Sequence, residues 1–244
     1  MKLADILFSQ GFGSRRECAA LIASGAVQVG GQTMPDGAVQ VPEVGLVFHV
    51  HGQAWPYHAR ALVLLHKPAG YECSRQPSTH SSVLSLLPAH LQRRGLQPVG
   101  RLDQDTTGLL LLTDDGTLIH RLTSPKHHVP KVYEVLTKHA VAAVLPSRLM
   151  AGVLLHDDPR PVSAAACEVT GEFSLRLTLI DGRYHQVKRM VAAAGNRVES
   201  LHRSAFGSVV LPADLPPGAW RLLTAPESAA LLGQRHVICT QAKA

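Results

Sequence analysis

The sequence predicts an α+β protein with two domains, a small one made of helices and a hairpin and a larger one built on a sheet flanked by helices. In the first 50 residues, two short segments have apolar residues at helical spacing, and alternating valines then run into Gly-Gly. After residue 60, short apolar runs typical of strands are interspersed with amphipathic segments typical of helices. The 244 residues are enough for one large domain or two unequal ones without disulfide support.

The small domain is delimited by local capping and turn signals. Leu3, Ile6 and Leu7 lie on one face of a predicted first helix. Ser14 and Glu17 have the spacing of a capping box, which predicts that a second helix begins there. The Gly-Gly turn then predicts a hairpin. These elements make a compact unit, with the alternative that it is a small helical cap packing on the larger domain.

Composition sets the domain boundaries. Residues 51–60 lose apolar periodicity and contain Gly and Pro, which predicts a linker. The small domain is therefore expected at residues 1–50 and the larger one at residues 61–234. Residues 235–244 are expected to form a peripheral C-terminal tail.

The larger domain is organised around residues 100–116, GRLDQDTTGLLLLTDDG. The run of four leucines, closed by Asp-Asp-Gly, predicts a strand buried on both faces and then a turn. Asp103 then lies on the loop that enters this strand, where rigid scaffolds commonly present reactive groups. The alternative is that Asp103 is a solvated loop carboxylate paired with Arg101.

Basic residues cluster at two places in the larger domain. The segment 124–133 carries Lys126, His127, His128 and Lys131, which are expected to form a cationic lip for phosphates. A helix is predicted from Tyr184 to Ala194, after a half-buried strand at 174–180. Because a helix N-terminus already favours anions, cations gathered there indicate a bound anion or a buried carboxylate partner. The basic and polar residues around this helix start are Arg183, His185, Gln186, Lys188 and Arg189.

Net charge indicates a polyanionic partner. The formal charge is +6 and the pI is near 9.4. Residues 1–60 are neutral, with four basic and four acidic residues, so residues 61–244 carry the whole excess, with 20 basic against 14 acidic residues.

Cysteine and hydropathy patterns predict a cytoplasmic protein. The four cysteines lie far apart without a CxxC pair, which argues against a disulfide framework or a zinc site. His127 and His128 are adjacent and do not point at one ion on a helix or strand, so no metal is expected. Asp5 interrupts any signal-like stretch, and no segment approaches the ~20 apolar residues that span a membrane.

Three separated stretches, GRLDQDTTGLLLLTDDG, KVYEV at 131–135 and GRYHQVKRM at 182–190, together resemble the pseudouridine synthases. Further matches are SPKHH at 124–128, LHR at 201–203 and PGAWRLLT at 217–224. The pattern favours the branch that acts on small-subunit (16S) ribosomal RNA, and the N-terminal unit resembles the S4-type RNA-binding domain of that branch. The resemblance implies a catalytic domain on a mixed, mostly antiparallel sheet.

The resemblance implies isomerisation of one uridine of 16S ribosomal RNA, uridine 516, to pseudouridine. The N1–C1′ bond breaks, the uracil rotates and a C5–C1′ bond forms, so neither a metal nor another cofactor is expected. Asp103 is the implied carboxylate, acting by attack on C1′ or by removing a proton from C2′. Lys188 is the implied cation that keeps it charged, where many relatives have arginine.

The remaining site residues follow from the same resemblance. Tyr133 is expected to stack on the base and help remove the C5 proton, with an ordinary strand aromatic as the alternative. Val187 would pack beneath the uracil. Arg101 would fill the stack vacated by the flipped base, unless it only pairs with a neighbouring aspartate. The residues expected to contact RNA elsewhere are His185, Gln186, Arg189, Lys126, Lys131, Arg15 and Arg16.

The expected partner is small-subunit ribosomal RNA or an assembly intermediate containing it, bound by a monomer with no membrane association. Three alternatives stay open. The chain could be a non-catalytic RNA-binding assembly factor, it could act on 23S ribosomal RNA, or it could hydrolyse nucleosides. The last would need a second carboxylate or a metal to activate water, and only Asp105 lies near.

Overall fold

The computed structural model describes residues 1–156 and 158–233. The predicted tail at 235–244 therefore lies outside the described residues. The chain divides into two compact units, the first made of residues 1–61 and 84–97 and the second of residues 62–83 and the chain from 98 onward. The boundaries expected from composition, 1–50 and 61–234, stay predictions.

Seven α-helices and fifteen strands occur in the described residues. The helices are α1 (Leu3–Ser9), α2 (Arg15–Ala23), α3 (Ala89–Arg93), α4 (Gly116–Thr123), α5 (Leu145–Ala151), α6 (Gln186–Ala193) and α7 (Ala225–Gly233). The strands are β1 (Val27–Val29), β2 (Gln32–Thr33), β3 (Val47–Val50), β4 (Gln53–Pro56), β5 (Leu62–Lys67), β6 (Gln97–Pro98), β7 (Thr107–Thr113), β8 (Lys131–Thr137), β9 (Val153–Leu155), β10 (Asp158–Val162), β11 (Ala166–Gly171), β12 (Ser174–Leu179), β13 (Val198–Phe206), β14 (Val209–Val210) and β15 (Trp220–Leu222). Short 3₁₀ helices span Val83–Leu86 and Pro125–His127.

The first unit has the two helices and the hairpin that the sequence predicts. The capping box at the start of α2 is formed, with Ser14 Oγ accepting from the Glu17 backbone N–H and the Glu17 carboxylate accepting from the Ser14 N–H. Strands β1 and β2 pair across the Gly-Gly turn in a four-stranded sheet of order β2-β1-β3-β4. Leu3 and Ile6 of α1 and Phe48 of β3 are buried together in one apolar core.

Residues 51–60 are not simply the linker that composition predicts. His51 and Gly52 have φ of 50° and 77° and form a tight turn, after which β4 pairs antiparallel with β3. Glycine there shapes a hairpin turn instead of breaking the chain. Pro56, which also indicated a linker, lies at the end of an edge strand, where a missing N–H costs nothing.

The helix α3 segment belongs to the first unit, although it follows β5 in sequence. The His90 ring stacks on Phe12 with centroids 4.7 Å apart and planes 5° apart. The Arg94 guanidinium donates to the His58 carbonyl oxygen and to Gln10. Burial, with the charge of Arg94, lowers the pKa of His90 to about 4, so this stacked ring is neutral at neutral pH.

The second unit is built on a mixed sheet whose main path runs β11-β12-β8-β13-β7-β5-β15, with β14 paired to β13. Among the strands of this path, all of them in the described part of the chain, β13 and β7 are parallel and the other neighbours are antiparallel. The four leucines of β7 are fully buried, as expected for a central strand. The mixed, mostly antiparallel sheet is therefore confirmed.

Helix α6 begins two residues later than the sequence predicts. Its inner stripe of Val187, Met190 and Val191 is buried against the sheet, as the periodicity indicates. His185, however, has φ 48° and ψ 34°, a left-handed conformation that cannot belong to the helix. Tyr184 and His185 thus form a sharp turn before α6 and are not part of its first turn.

Gly108 is the tightest backbone contact at the parallel β7–β13 pair. Its φ is +107°, and a Cβ there would lie 2.3 Å from the Arg203 carbonyl oxygen and 2.6 Å from the Arg203 nitrogen. We expect Gly108→Ala to lower the free energy of unfolding by about 2–4 kcal/mol, because both the backbone conformation and the strand spacing become strained. Denaturant titration measures the change.

Gly116→Ala is the matched control. Gly116 begins α4, and a Cβ added to it would have no described atom within 4 Å. Alanine there should leave stability unchanged or raise it slightly, since it favours the helix. Equal stability of Gly108→Ala and the wild type would contradict the close approach of β7 and β13.

Candidate active site

A cleft of about 620 Å³ opens in the second unit, within the size range of about 300–1,000 Å³ that small-ligand sites have. It is lined by the loop before β7, the turn between β12 and α6, the ends of β8 and β13, and the segment after β5. Eight of the residues singled out from the sequence line it: Arg101, Asp103, Lys131, Tyr133, Arg183, His185, Gln186 and Val187.

Lys67, the last residue of β5, holds the loop that carries Asp103 from inside the core. Lys67 is fully buried, and its Nζ donates to the carbonyl oxygens of Pro68 (3.0 Å), Gln104 (3.0 Å) and Thr106 (2.8 Å). Burial lowers the pKa of this ammonium, while the charges of nearby carboxylates act to raise it. Sequence reasoning missed Lys67, since a lysine before Pro-Ala-Gly indicated only a turn. Its position directly after an apolar strand was the available signal.

The segment after β5 forms one wall of the cleft. The Glu72 carboxylate accepts from the backbone N–H groups of Ser78, Thr79 and His80 at 2.8–3.0 Å. These bonds lower the pKa of Glu72 to about 2, so it stays ionised and keeps the loop folded on itself. Cys73 adds a contact to the Asp103 loop, because its Sγ accepts from the backbone N–H of residue 102 at 3.4 Å.

Lys188 bridges the two carboxylates of the loop. Its Nζ lies 2.6 and 2.8 Å from the two oxygens of Asp105 and 3.3 Å from Asp103 Oδ2. The sequence reasoning expected Asp103 as its partner, whereas the shorter contacts are to Asp105. Burial lowers the pKa of Lys188, but the hydrogen bond to Asp105 and the two carboxylate charges outweigh it and raise that pKa overall.

His185 approaches Asp103 from the other side. Its Nε2 lies 3.4 Å from Asp103 Oδ1, and its ring stacks on Tyr184 with centroids 3.8 Å apart. The left-handed backbone of His185 directs the ring into the cleft. Strained backbone of this kind often marks functional positions. Asp103 is thus flanked by Lys188 and His185, and its side chain is only 25% exposed.

Tyr133, Val187 and Arg101 also line the cleft. Tyr133 is half-buried on β8, and its hydroxyl makes no hydrogen bond to any residue in 1–156 or 158–233. Val187 is 3% exposed and forms part of the floor. Arg101 is exposed and makes no ion pair with Asp103 or Asp105. The salt-bridge alternative for Arg101 is therefore not formed.

Lys131 and Gln186 are placed differently from the expectation. Lys131 is 7% exposed and lies inside the cleft, so it does not form a lip with Lys126, which is exposed and outside the lining. Gln186 is buried, donates to Asp181 Oδ1 at 2.6 Å and accepts from the Arg183 N–H at 2.7 Å. Its amide braces the turn before α6 instead of projecting toward RNA.

The remaining predicted RNA contacts lie outside the cleft lining. Arg189 donates to the Tyr184 carbonyl oxygen at 3.1 Å. Arg15 pairs with Asp5 and lies over the Phe8 ring at 4.6 Å. Arg16 is exposed on α2 of the first unit.

The described residues show neither a metal cluster nor a membrane helix. In residues 1–156 and 158–233, no group of three or more His, Cys, Asp or Glu side chains is arranged to hold a metal ion. No helix of that part of the chain is long and apolar enough to cross a bilayer.

Comparison with known proteins matches both units. A family model described as RNA pseudouridylate synthase matches residues 61–193, and an S4 domain matches residues 1–41. These two domains in this order define an RNA-modifying isomerase. The chain belongs to the pseudouridine synthase family, in the group that carries an N-terminal S4 domain.

Individual relatives cover nearly the whole chain. Ribosomal small subunit pseudouridine synthase A of Escherichia coli (strain K12) is 39% identical over 95% of this chain and 100% of its own length. The uncharacterized RNA pseudouridine synthase YtzG of Bacillus subtilis (strain 168) is 38% identical over 93% of this chain and 96% of its own length. A pseudouridylate synthase of known crystal structure aligns with a TM-score of 0.68 at 34% identity, covering 95% of this chain and 99% of that one.

Lys67 gives a test of how the Asp103 loop is held. Lys67→Met removes the donor shared by three carbonyl oxygens and leaves them buried without that partner. We expect the free energy of unfolding to fall by about 3 kcal/mol, measured by denaturant titration.

Lys126→Met is the control for Lys67→Met, because it makes the same chemical change at an exposed lysine. It should change stability by no more than about 0.5 kcal/mol. A stability loss that is equally small in both variants would show that the loop does not depend on the buried ammonium.

Proposed function

We propose that the chain converts a uridine of small-subunit ribosomal RNA to pseudouridine, with Asp103 as the reacting carboxylate. The observation that carries this proposal is the position of Asp103, one-quarter exposed in a cleft of nucleoside size and flanked by Lys188 and His185. The family assignment supplies the reaction class, an isomerisation.

The electrostatics of the cleft support a charged nucleophile. A free aspartate has a pKa of about 3.9 and is ionised at neutral pH, so the site only has to prevent burial from protonating it. Lys188, with its raised pKa, supplies a permanent positive charge 3.3 Å from one oxygen. The Asp103 carboxylate attacks C1′ or takes the C2′ proton, and either route needs the ionised form.

The other cleft residues have roles that suit a flipped nucleotide. A uridine inside folded RNA must leave the stack before a side chain can reach C1′, at a cost of a few kcal/mol. Arg101 is exposed at the cleft and unpaired within the described chain, so its planar guanidinium is available to replace the base in the stack. Tyr133 offers a ring face for stacking and a hydroxyl near the base.

The choice of small-subunit RNA rests on the relatives. The Escherichia coli protein is named for the ribosomal small subunit, and its whole length aligns here. Uridine 516 of that RNA is the specific target we propose. The similarly related Bacillus subtilis protein carries no target in its name, so 23S RNA is kept as the alternative that mapping must separate.

The first unit is proposed to bind RNA as an S4 domain, together with Lys126 and Arg189. The positive excess of residues 61–244 supports a polyanionic substrate. A cytoplasmic location and a monomeric state belong to the same proposal.

The experiment uses cells that lack the gene and carry wild-type or Asp103→Asn protein from a plasmid. We expect carbodiimide mapping of ribosomal RNA to find one pseudouridine lost on deletion, restored by the wild type and not by Asp103→Asn. In single-turnover assays the rate should fall by about 10⁴-fold or more, because the charge that reacts is removed. RNA affinity should stay nearly unchanged.

Asp105→Asn is the comparison variant, with the same change two residues away. It weakens the binding of Lys188 to the loop but leaves the carboxylate at position 103, so product should still form at a reduced rate.

Turnover by Asp103→Asn at the wild-type rate would show that Asp103 takes no part in the reaction. Loss of a 23S pseudouridine on deletion would move the target, and free uracil as product would indicate a hydrolase.

A further inference from the structure

Lys131 is an enclosed cation that pairs with no carboxylate of the described residues. It begins β8, where it pairs in register with Leu179 of β12 and Phe206 of β13. Its side chain is almost fully buried and lines the cleft. In residues 1–156 and 158–233 its ammonium makes no hydrogen bond or ion pair, and its Nζ lies 5.6 Å from the centroid of the Phe206 ring.

The charged groups around Lys131 do not neutralise it. Arg203 on β13 lies over the same Phe206 ring at 5.2 Å and is buried. Its Nε donates to the Leu109 carbonyl oxygen at 2.8 Å, while its Nη2 is buried without a partner in the described chain. Asp181, in the turn after β12, is the nearby carboxylate, but it is already bonded to the Gln186 amide and paired with an arginine.

The carboxylate whose charge acts on Lys131 is therefore engaged by other groups. Burial lowers the pKa of Lys131 to about 8, and the charge of Arg203 acts in the same direction. An ammonium in this position is costly to keep charged unless an anion enters the cleft. Natural proteins retain such unfavourable groups where function needs them.

We propose that Lys131, with Arg203 behind it, stabilises the negative charge that develops on the uracil as it leaves the ribose. The inference rests on the proposed function and deepens it by assigning a group to the departing base. Asp103 acts on the sugar, and Lys131 acts on the base. A preorganised charge placed where charge develops is commonly the largest contribution to catalysis.

The bond changes balance without a proton transfer at Lys131. The N1–C1′ bond breaks with its electron pair remaining on the base, where it spreads over N1 and the carbonyl oxygens O2 and O4. C1′ bonds to the Asp103 carboxylate, or C2′ loses a proton to it. Lys131 donates a hydrogen bond to the uracil anion and keeps its proton. When C5 bonds to C1′, the bond between C1′ and the Asp103 carboxylate breaks, or, in the second route, C2′ regains its proton from Asp103. The negative charge on the base then disappears, the C5 proton leaves and N1 gains one.

A backbone phosphate is the competing ligand for this ammonium. Phosphates remain at the mouth of a cleft, whereas Lys131 is almost fully enclosed by the sheet. Tyr133, two residues along, projects from the same face of β8 and also lines the cleft, where the base would stack. The enclosed position therefore favours contact with the base.

The test compares Lys131→Met, Lys131→Gln and Lys131→Arg with the wild type in single-turnover reactions on small-subunit ribosomal RNA. We expect the methionine and glutamine variants to react about 10²-fold more slowly or worse, with unchanged RNA affinity and unchanged salt dependence of binding. The thermal midpoint of Lys131→Met should equal or exceed that of the wild type, because a buried unpaired charge is removed. Lys138→Met, the same change at an exposed lysine, should match the wild type.

The pH profile separates a charge from a merely structural role. The wild-type rate should be at its plateau near neutral pH and fall to half at about pH 8, as the ammonium with a pKa of about 8 loses its proton. Lys131→Arg should recover part of the rate and lose this alkaline fall, since arginine stays charged.

Two results would overturn the inference. One is a wild-type rate in Lys131→Met. The other is a defect confined to RNA affinity, with a salt slope smaller by about one, which would identify a phosphate contact. Failure of the wild-type protein to form pseudouridine in any ribosomal RNA would instead overturn the proposed function.

Discussion

The ion pairs of Lys188 with Asp105 and Asp103 are the constraint on which the site depends. They join the loop before β7 to helix α6, two elements far apart in sequence. Partial burial acts to raise the pKa of Asp105, but the hydrogen bond and charge of Lys188 outweigh it and lower that pKa. Because the shorter contacts of the Lys188 ammonium are to Asp105, it holds the carboxylate oxygens of Asp103 less tightly. A carboxylate that is charged but not fully engaged is what nucleophilic or basic chemistry requires.

The sheet fixes the position of the loop that carries Asp103. The parallel pairing of β7 with β13 sets the Asp103 loop beside the strand that carries Arg203. Gly108 allows the two backbones to approach, and Lys67 ties the loop carbonyls from inside the core. The reacting group is thus on a loop, yet its position is determined by buried contacts, as precise catalysis needs.

Much of the local structure could be predicted from the sequence. The capping box at Ser14 and the buried leucine strand are strong local signals, and both are confirmed. The left-handed His185 delays the start of α6. Histidine adopts this conformation more often than most residues do, but most histidines do not, so the sequence does not locate it. The strand at 53–56 has the composition of a linker, because Gly and Pro mark turns and edges as well as breaks. The membership of residues 84–97 in the first unit depends on long-range contacts that leave no periodic pattern.

The candidate site could be predicted only through the family motifs. Periodicity placed Asp103 on a loop but could not predict that Lys188 lies beside it, and it gave no indication that Lys131 is enclosed.

A crystal structure of the Asp103→Asn variant bound to an RNA fragment containing the target uridine tests the central claim most directly. We expect an everted uracil stacked on Tyr133, with its ribose C1′ beside the side chain at position 103. A uridine still stacked in the RNA, with the cleft empty, would contradict this claim.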